Sequence, residues 1–122
     1  MTNCRVSVIL PLKDYTPFLE ESLKSTVSCL KPEMELILVD DRMDPDCMPV
    51  LKPHLSHPKV TLKKANGTGI VNALHTGLSL AKGLYIARMD ADDFCMGDRF
   101  TLKQEYLDRH SFKEGEDYLW MV

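Results

Sequence analysis

Two apolar spacings take turns along this chain. Arg5 to Leu12 carries Val6, Val8, Ile9 and Leu10, a β-branched run that predicts a buried strand. Thr16-Pro17 then supplies an N-cap and a first-turn proline, and Leu19, Leu23, Val27 and Leu30 recur at helical spacing. A helix is expected from Pro17 to Leu30, stopped by Pro32. Glu35 to Asp40 is the second strand. Prolines break up Asp41 to Pro58, leaving a short helix around Cys47 to Leu55. Val60 to Lys64 is a third strand and Ala65 to Gly69 a loop. Val71, Leu74, Leu78 and Ala81 share one face of a helix from Ile70 to Ala81, with Gly83 placed as its left-handed C-terminal residue. Leu84 to Met89 is a fourth strand. A last helix runs from Asp98, read as its cap, to Arg109. Strand and helix in alternation, with apolar strands, predict an α/β fold: a Rossmann-like half with a mostly parallel sheet flanked by helices.

The carboxylates change the picture. The first strand runs out into Asp14, the second ends at Asp40-Asp41, and the fourth at Asp90, Asp92 and Asp93. In a parallel sheet these ends share one edge, where open α/β sheets bind ligands. Clustered carboxylates repel one another, and a divalent cation relieves the repulsion. Oxygen ligands of this kind suit Mg²⁺ or Mn²⁺, which commonly hold substrate phosphates as well. Helix capping is the competing role for a single Asp after a strand, and it competes most strongly at Asp14.

Composition narrows the partners. The 122 residues carry 15 Lys+Arg against 18 Asp+Glu, a net charge of −3, which removes the electrostatic case for nucleic acid. With 44% hydrophobic and 27% charged residues, the chain has globular proportions. Its longest apolar runs are far short of the roughly 20 residues needed to span a bilayer. The first residues lead directly into a strand, so no secretory signal is read. Cys4, Cys29, Cys47 and Cys95 are scattered without metal-ligand spacing and are expected to be reduced thiols of a cytoplasmic protein.

Several stretches resemble the inverting family 2 glycosyltransferases of GT-A fold. They are Val6-Ser-Val-Ile-Leu-Pro11, Glu35-Leu-Ile-Leu-Val-Asp-Asp41, Ala73-Leu-His-Thr-Gly-Leu-Ser-Leu-Ala81, Gly83-Leu-Tyr-Ile-Ala-Arg-Met-Asp-Ala-Asp-Asp93 and Asp98-Arg99-Phe100. The resemblance covers nearly all of Arg5 to His110. It implies a nucleotide-sugar donor, usually UDP- or dTDP-linked, a Mg or Mn cation, and transfer to an acceptor hydroxyl with inversion. It places Pro11, Leu12 and Asp14 along the uridine pocket, Asp41 on the pyrimidine N3–H, and Asp40 near the ribose. Asp90, Ala91 and Asp92 form the D-x-D segment, with Asp90 and Asp92 as metal ligands. The acceptor, a glycan or a lipid-linked one, is open, and a lipid acceptor would bring the protein to the inner face of the membrane.

Four departures from the family pattern involve six positions. Lys13-Asp14 replaces Tyr-Asn, Arg42-Met43 replaces the Gly-Ser after Asp-Asp, His75 replaces an Asn, and Gly97 replaces a Pro. His75 reads as a helix-surface or packing residue. Family members also run on well past this length, so a shortened domain is expected. Its parts are a GT-A domain over 1–110 and a tail over 111–122, a possible remnant of the acceptor segment. Within that tail Glu116-Asp117-Tyr118-Leu119-Trp120 resembles the family's base segment, which makes Asp117 the candidate general base. The alternative is a catalytically incomplete nucleotide-binding remnant or a non-catalytic partner domain. The fourth strand is expected to lack an outer neighbour, and an open edge favours self-association. A phosphoryl-transfer domain fits less well, because haloacid-dehalogenase-like phosphatases place D-x-D-x-Thr after the first strand.

Overall fold

Residues 4–93, 95, 99–110 and 119–121 are described by a computed structural model. The elements follow the predicted alternation: β1 (Val6–Leu12), α1 (Leu19–Cys29), β2 (Met34–Asp40), a 3-10 turn (Pro45–Cys47), α2 (Met48–Leu55), β3 (Val60–Lys64), α3 (Ile70–Leu80), β4 (Tyr85–Arg88), α4 (Arg99–His110) and β5 (Leu119–Met121). The strands form one sheet in the order β3-β2-β1-β4-β5, and each neighbouring pair is parallel.

The period-two alternation of the strands sorts the core into two layers. Val6, Val8, Leu10 and Leu12 of β1 face one way, with Leu36 and Leu38 of β2 and Tyr85 and Ala87 of β4. They pack with Leu19 and Leu23 of α1, Leu51 of α2 and Phe100 of α4. Ile9, Ile37, Val39 and Ile86 face the other way and pack on Ala73 of α3. Burial on both faces explains why these strands read as nearly continuous apolar runs.

The α1 helix begins two residues later than its Pro17 start, yet Thr16 still governs its entry. Thr16 Oγ1 accepts the Phe18 N–H at 3.3 Å, and the Thr16 carbonyl accepts that of Leu19 at 3.1 Å. Phe18 stands at the N-cap without a side-chain cap bond, so neither the cap expected at Thr16 nor one at Asp14 forms; Thr16 instead closes a turn into the helix.

Gly83 differs from expectation in its physical reason. Among the described residues the positive-φ glycine is Gly69 (φ 92°), not Gly83. A Cβ at Gly83 would lie 2.7 Å from the Ser7 backbone nitrogen. Glycine is needed there for close approach to β1, and the Gly83 N–H donates to Ser7 Oγ at 2.9 Å. Ser7 Oγ in turn donates to Glu35 Oε2 at 2.6 Å, and that oxygen also accepts the Lys82 N–H at 2.8 Å. A three-point lock thus ties β1, β2 and the link into β4 at the amino ends of the strands.

The open outer side expected for β4 is also corrected. β5 pairs along it, with Tyr85 opposite Leu119, Ile86 opposite Trp120 and Ala87 opposite Met121. No helix among the described residues is long and apolar enough to cross a membrane. None of the four cysteines forms a disulfide.

Candidate functional site

Strand order reverses between β1 and β4: the chain runs outward from β1 through β2 to β3, then returns to β1's other side. The crevice at such a reversal opens beyond the carboxyl ends of the strands. The ends of β1, β2 and β4 deliver Asp14, Asp40-Asp41 and Asp90 to Asp93 to that rim.

Asp40 closes β2, in register with Leu12 on one side and Lys64 on the other. Its Oδ1 accepts the Met43 N–H at 2.8 Å, an Asx-type turn that turns the chain away from the sheet. Asp41 extends the ladder one residue further, because its N–H donates to the Leu12 carbonyl at 2.8 Å. That placement leaves Asp41 only 4% exposed. Its Oδ1 accepts the Gly69 N–H at 3.2 Å, at the start of α3, and lies 3.6 Å from Arg42 Nε. A helix N-terminus and a guanidinium together make a buried carboxylate tolerable. Sequence patterns gave no sign of either neighbour. Gly67-Thr68-Gly69 was legible only as a loop, and Arg42 only as a departure from Gly.

Further ties hold the ends of β1 and β2 together. The Asp44 N–H donates to the Lys13 carbonyl at 2.7 Å, and Asp44 Oδ1 accepts the Asp46 N–H at 2.9 Å. Cys47 lies beneath, its Sγ 4.0 Å from the Asp14 carbonyl. Burial pushes the Cys47 thiol up, and the surrounding Asp44, Asp46, Asp40 and Asp14 carboxylates push the same way. A thiol held protonated in this manner is a packing group, not a nucleophile. Of the β1 candidates, Pro11 is half-buried, Leu12 buries its side chain in the core, and Asp14 is exposed.

The Met89 N–H donates to the Ile9 carbonyl at 3.0 Å and carries β4's pairing to the rim. The chain then turns tightly: Asp90 N–H donates to Asp93 Oδ2, and Asp93 N–H to the Asp90 carbonyl, each at 3.0 Å. Asp90 Oδ1 lies 3.3 Å from Arg88 Nη2, in a half-exposed pair. Ala91 packs against the core, while Asp92 is exposed. No group of three or more His, Cys, Asp or Glu among the described residues converges as a ready-made metal cage. The donor set nevertheless fits Mg²⁺ or Mn²⁺, which bind through one or two carboxylates and complete their shells with substrate phosphate and water. His75 is exposed on α3, as its helix-surface reading expects. Asp98 and Asp117 lie outside the described residues. Leu119, two residues beyond Asp117, is level with Tyr85 at the amino end of β4, remote from the rim.

Residues 7–113 match the family described as Glycosyl transferase family 2. Chondroitin synthase of Escherichia coli is 28% identical over 98 residues, covering 80% of this chain and 14% of the relative. The uncharacterized glycosyltransferase EpsJ of Bacillus subtilis is 32% identical over 98 residues, covering 78% and 28%. The chain therefore spans well under half the length of these curated relatives. Among solved structures, S. aureus TarS 1-349 in complex with UDP-GlcNAc superposes with a TM-score of 0.77 at 20% identity, covering 87% of this chain and 32% of that one. The mannosyltransferase PcManGT of Pyrobaculum calidifontis, in complex with GDP-Man and Mn²⁺, gives 0.75 at 24% identity, covering 88% and 33%. These likenesses share the α/β architecture and its parallel sheet.

Proposed function

The chain belongs to glycosyl transferase family 2, and from that premise we propose that its acidic rim binds a UDP- or dTDP-linked sugar for inverting, metal-dependent transfer to an acceptor hydroxyl. The observation that carries this reading is Asp41: a buried carboxylate at the switch-point rim whose Oδ1 accepts the Gly69 N–H and lies 3.6 Å from Arg42 Nε; in this reading its Oδ2 meets a ligand N–H. Nucleotide-sugar complexes of TarS and PcManGT support the ligand class.

In this reading Asp41 accepts the pyrimidine N3–H and Asp40 turns its remaining oxygen toward the ribose, while Pro11, Leu12 and Asp14 border the base. Asp90 and Asp92 would hold a Mg²⁺ or Mn²⁺ ion, which would supply Lewis-acid neutralisation of the diphosphate. The Asp90–Asp93 turn fixes the backbone of this segment, so its carboxylates meet the ligand in a set position. Inversion follows when the acceptor oxygen bonds to the sugar C1 in line as the C1–O bond to the nucleoside diphosphate breaks. The acceptor's proton passes to a carboxylate base. Asp117 is the candidate for that base. Four cysteines without a disulfide suit a reducing, cytoplasmic setting.

Isothermal titration with UDP, with and without Mn²⁺, tests the donor site. Metal-dependent binding is expected, and Asp92→Ala weakens it by about tenfold or more without lowering the melting temperature, because Asp92 is exposed. Binding indifferent to both Mn²⁺ and Asp92→Ala would refute the metal assignment. The alternative reading is a donor-binding unit without turnover. UDP release from a UDP-sugar separates the two, and Asp117→Asn leaves donor binding unchanged under either.

A further inference from the structure

Arg42 is the non-glycine residue with positive φ among those described, at 55°. Side chains adopt this left-handed region at a cost that glycine escapes. Strain of this kind persists where the surroundings impose it, and it concentrates at ligand sites. Here the strained residue follows directly on the buried Asp41. Its Nε lies 3.6 Å from Asp41 Oδ1, and the two side chains are 54% and 6% exposed. The guanidinium is thus the solvent-exposed partner of a buried carboxylate.

The pair presents a specific hydrogen-bonding order. Asp41 Oδ1 accepts the Gly69 N–H at 3.2 Å and lies 3.6 Å from Arg42 Nε, so Oδ2 is the less engaged oxygen. Arg42 is a fork of donors, and its terminal nitrogens extend beyond Nε. One acceptor beside donors complements an imide edge, where a single N–H is flanked by carbonyl oxygens. Guanine instead presents two adjacent N–H donors that pair best with both oxygens of a carboxylate, and Oδ1 already accepts the Gly69 N–H beside the Arg42 cation.

We propose that Arg42 is the base-specificity residue of this site: it donates to a carbonyl of uracil or thymine while Asp41 Oδ2 accepts the imide N–H, and so selects these bases over guanine. The proposal rests on the donor-site reading above. It also accounts for an arginine held where glycine would be unstrained.

The test pairs stability with binding. UDP, dTDP and GDP are titrated, with Mn²⁺ present, into the wild-type chain, Arg42→Gly and Arg42→Asn, and the same proteins are melted. Asn tolerates the left-handed region without the charge, so it serves as the second variant. Both variants are expected to stay folded, relief of the left-handed strain offsetting part of the loss of the cation beside buried Asp41, and to bind UDP about tenfold more weakly, the loss of a hydrogen bond from a charged donor. Their preference for UDP over GDP narrows by a similar factor. Variants that bind UDP as tightly as the wild type, or a wild type that binds GDP as tightly as UDP, overturn the role of Arg42 and leave the donor site standing. A wild-type chain that binds none of the three nucleotides removes the donor reading and this proposal with it.

Discussion

A methyl group added at Gly83 would sit 2.7 Å from the Ser7 backbone nitrogen and 2.8 Å from the Val6 carbonyl carbon. One added at Gly77 would sit 2.6 Å from Ile9 Cγ2. Both clashes fall on fully buried partners, but only the first falls on sheet backbone, which cannot rotate away. Gly83→Ala and Gly77→Ala are each expected to lower stability by about 1–3 kcal/mol in urea melts, with Gly83→Ala the larger loss. Equal or greater stability in Gly83→Ala would contradict the close approach. At this scale residue type is legible in the sequence and its reason often is not. Gly83 suits a helix terminus and a tight crossing alike, since both need a missing Cβ. Asp40 and Asp41 look interchangeable as text, but strand register sends one into a turn and buries the other.

Elements carry their own titration. His54 lies on α2 against α1, and burial lowers its pKa, with the Lys24 cation adding to the effect and Glu20 opposing it. The unfolded chain therefore takes up this proton first as the pH falls. The stability associated with neutral His54 is complete above the unfolded value of about 6.5 and is lost as the pH falls through the lower folded value. Melting temperatures between pH 7 and pH 5 should decline less steeply in His54→Gln than in the wild type. The same slope in both would remove His54 as the cause. Four strands and the helices were legible because each repeats its apolar spacing over enough residues to set a period. β5 was not, since Leu119–Met121 is too short to show one and its pairing with β4 is long-range. The left-handed turn at Arg42 was hidden for a different reason: arginine carries no propensity for it, so only the assembled rim shows it.

For the molecule as a whole, helices cover both faces of the sheet, and the carboxyl rim is where loops can vary without repacking either core layer. A ligand bound at that rim stabilises the native state by mass action, about 2.7 kcal/mol at a hundredfold excess over Kd. The strand order has a kinetic consequence. β1, β2 and β3 can assemble from neighbouring segments, but β4 must return across them to reach β1, and the Gly83–Ser7 bond closes a separation of 76 residues. Such distant pairing comes late, because its loop entropy is met before its contacts form. Half-assembled chains would then show β1's bare flank, sticky toward other copies, and refolding yield should drop as protein concentration rises. The rim is finished by the same event. Capacity to hold nucleotide should therefore return in stopped-flow refolding with the slowest phase, behind the recovery of helical circular dichroism.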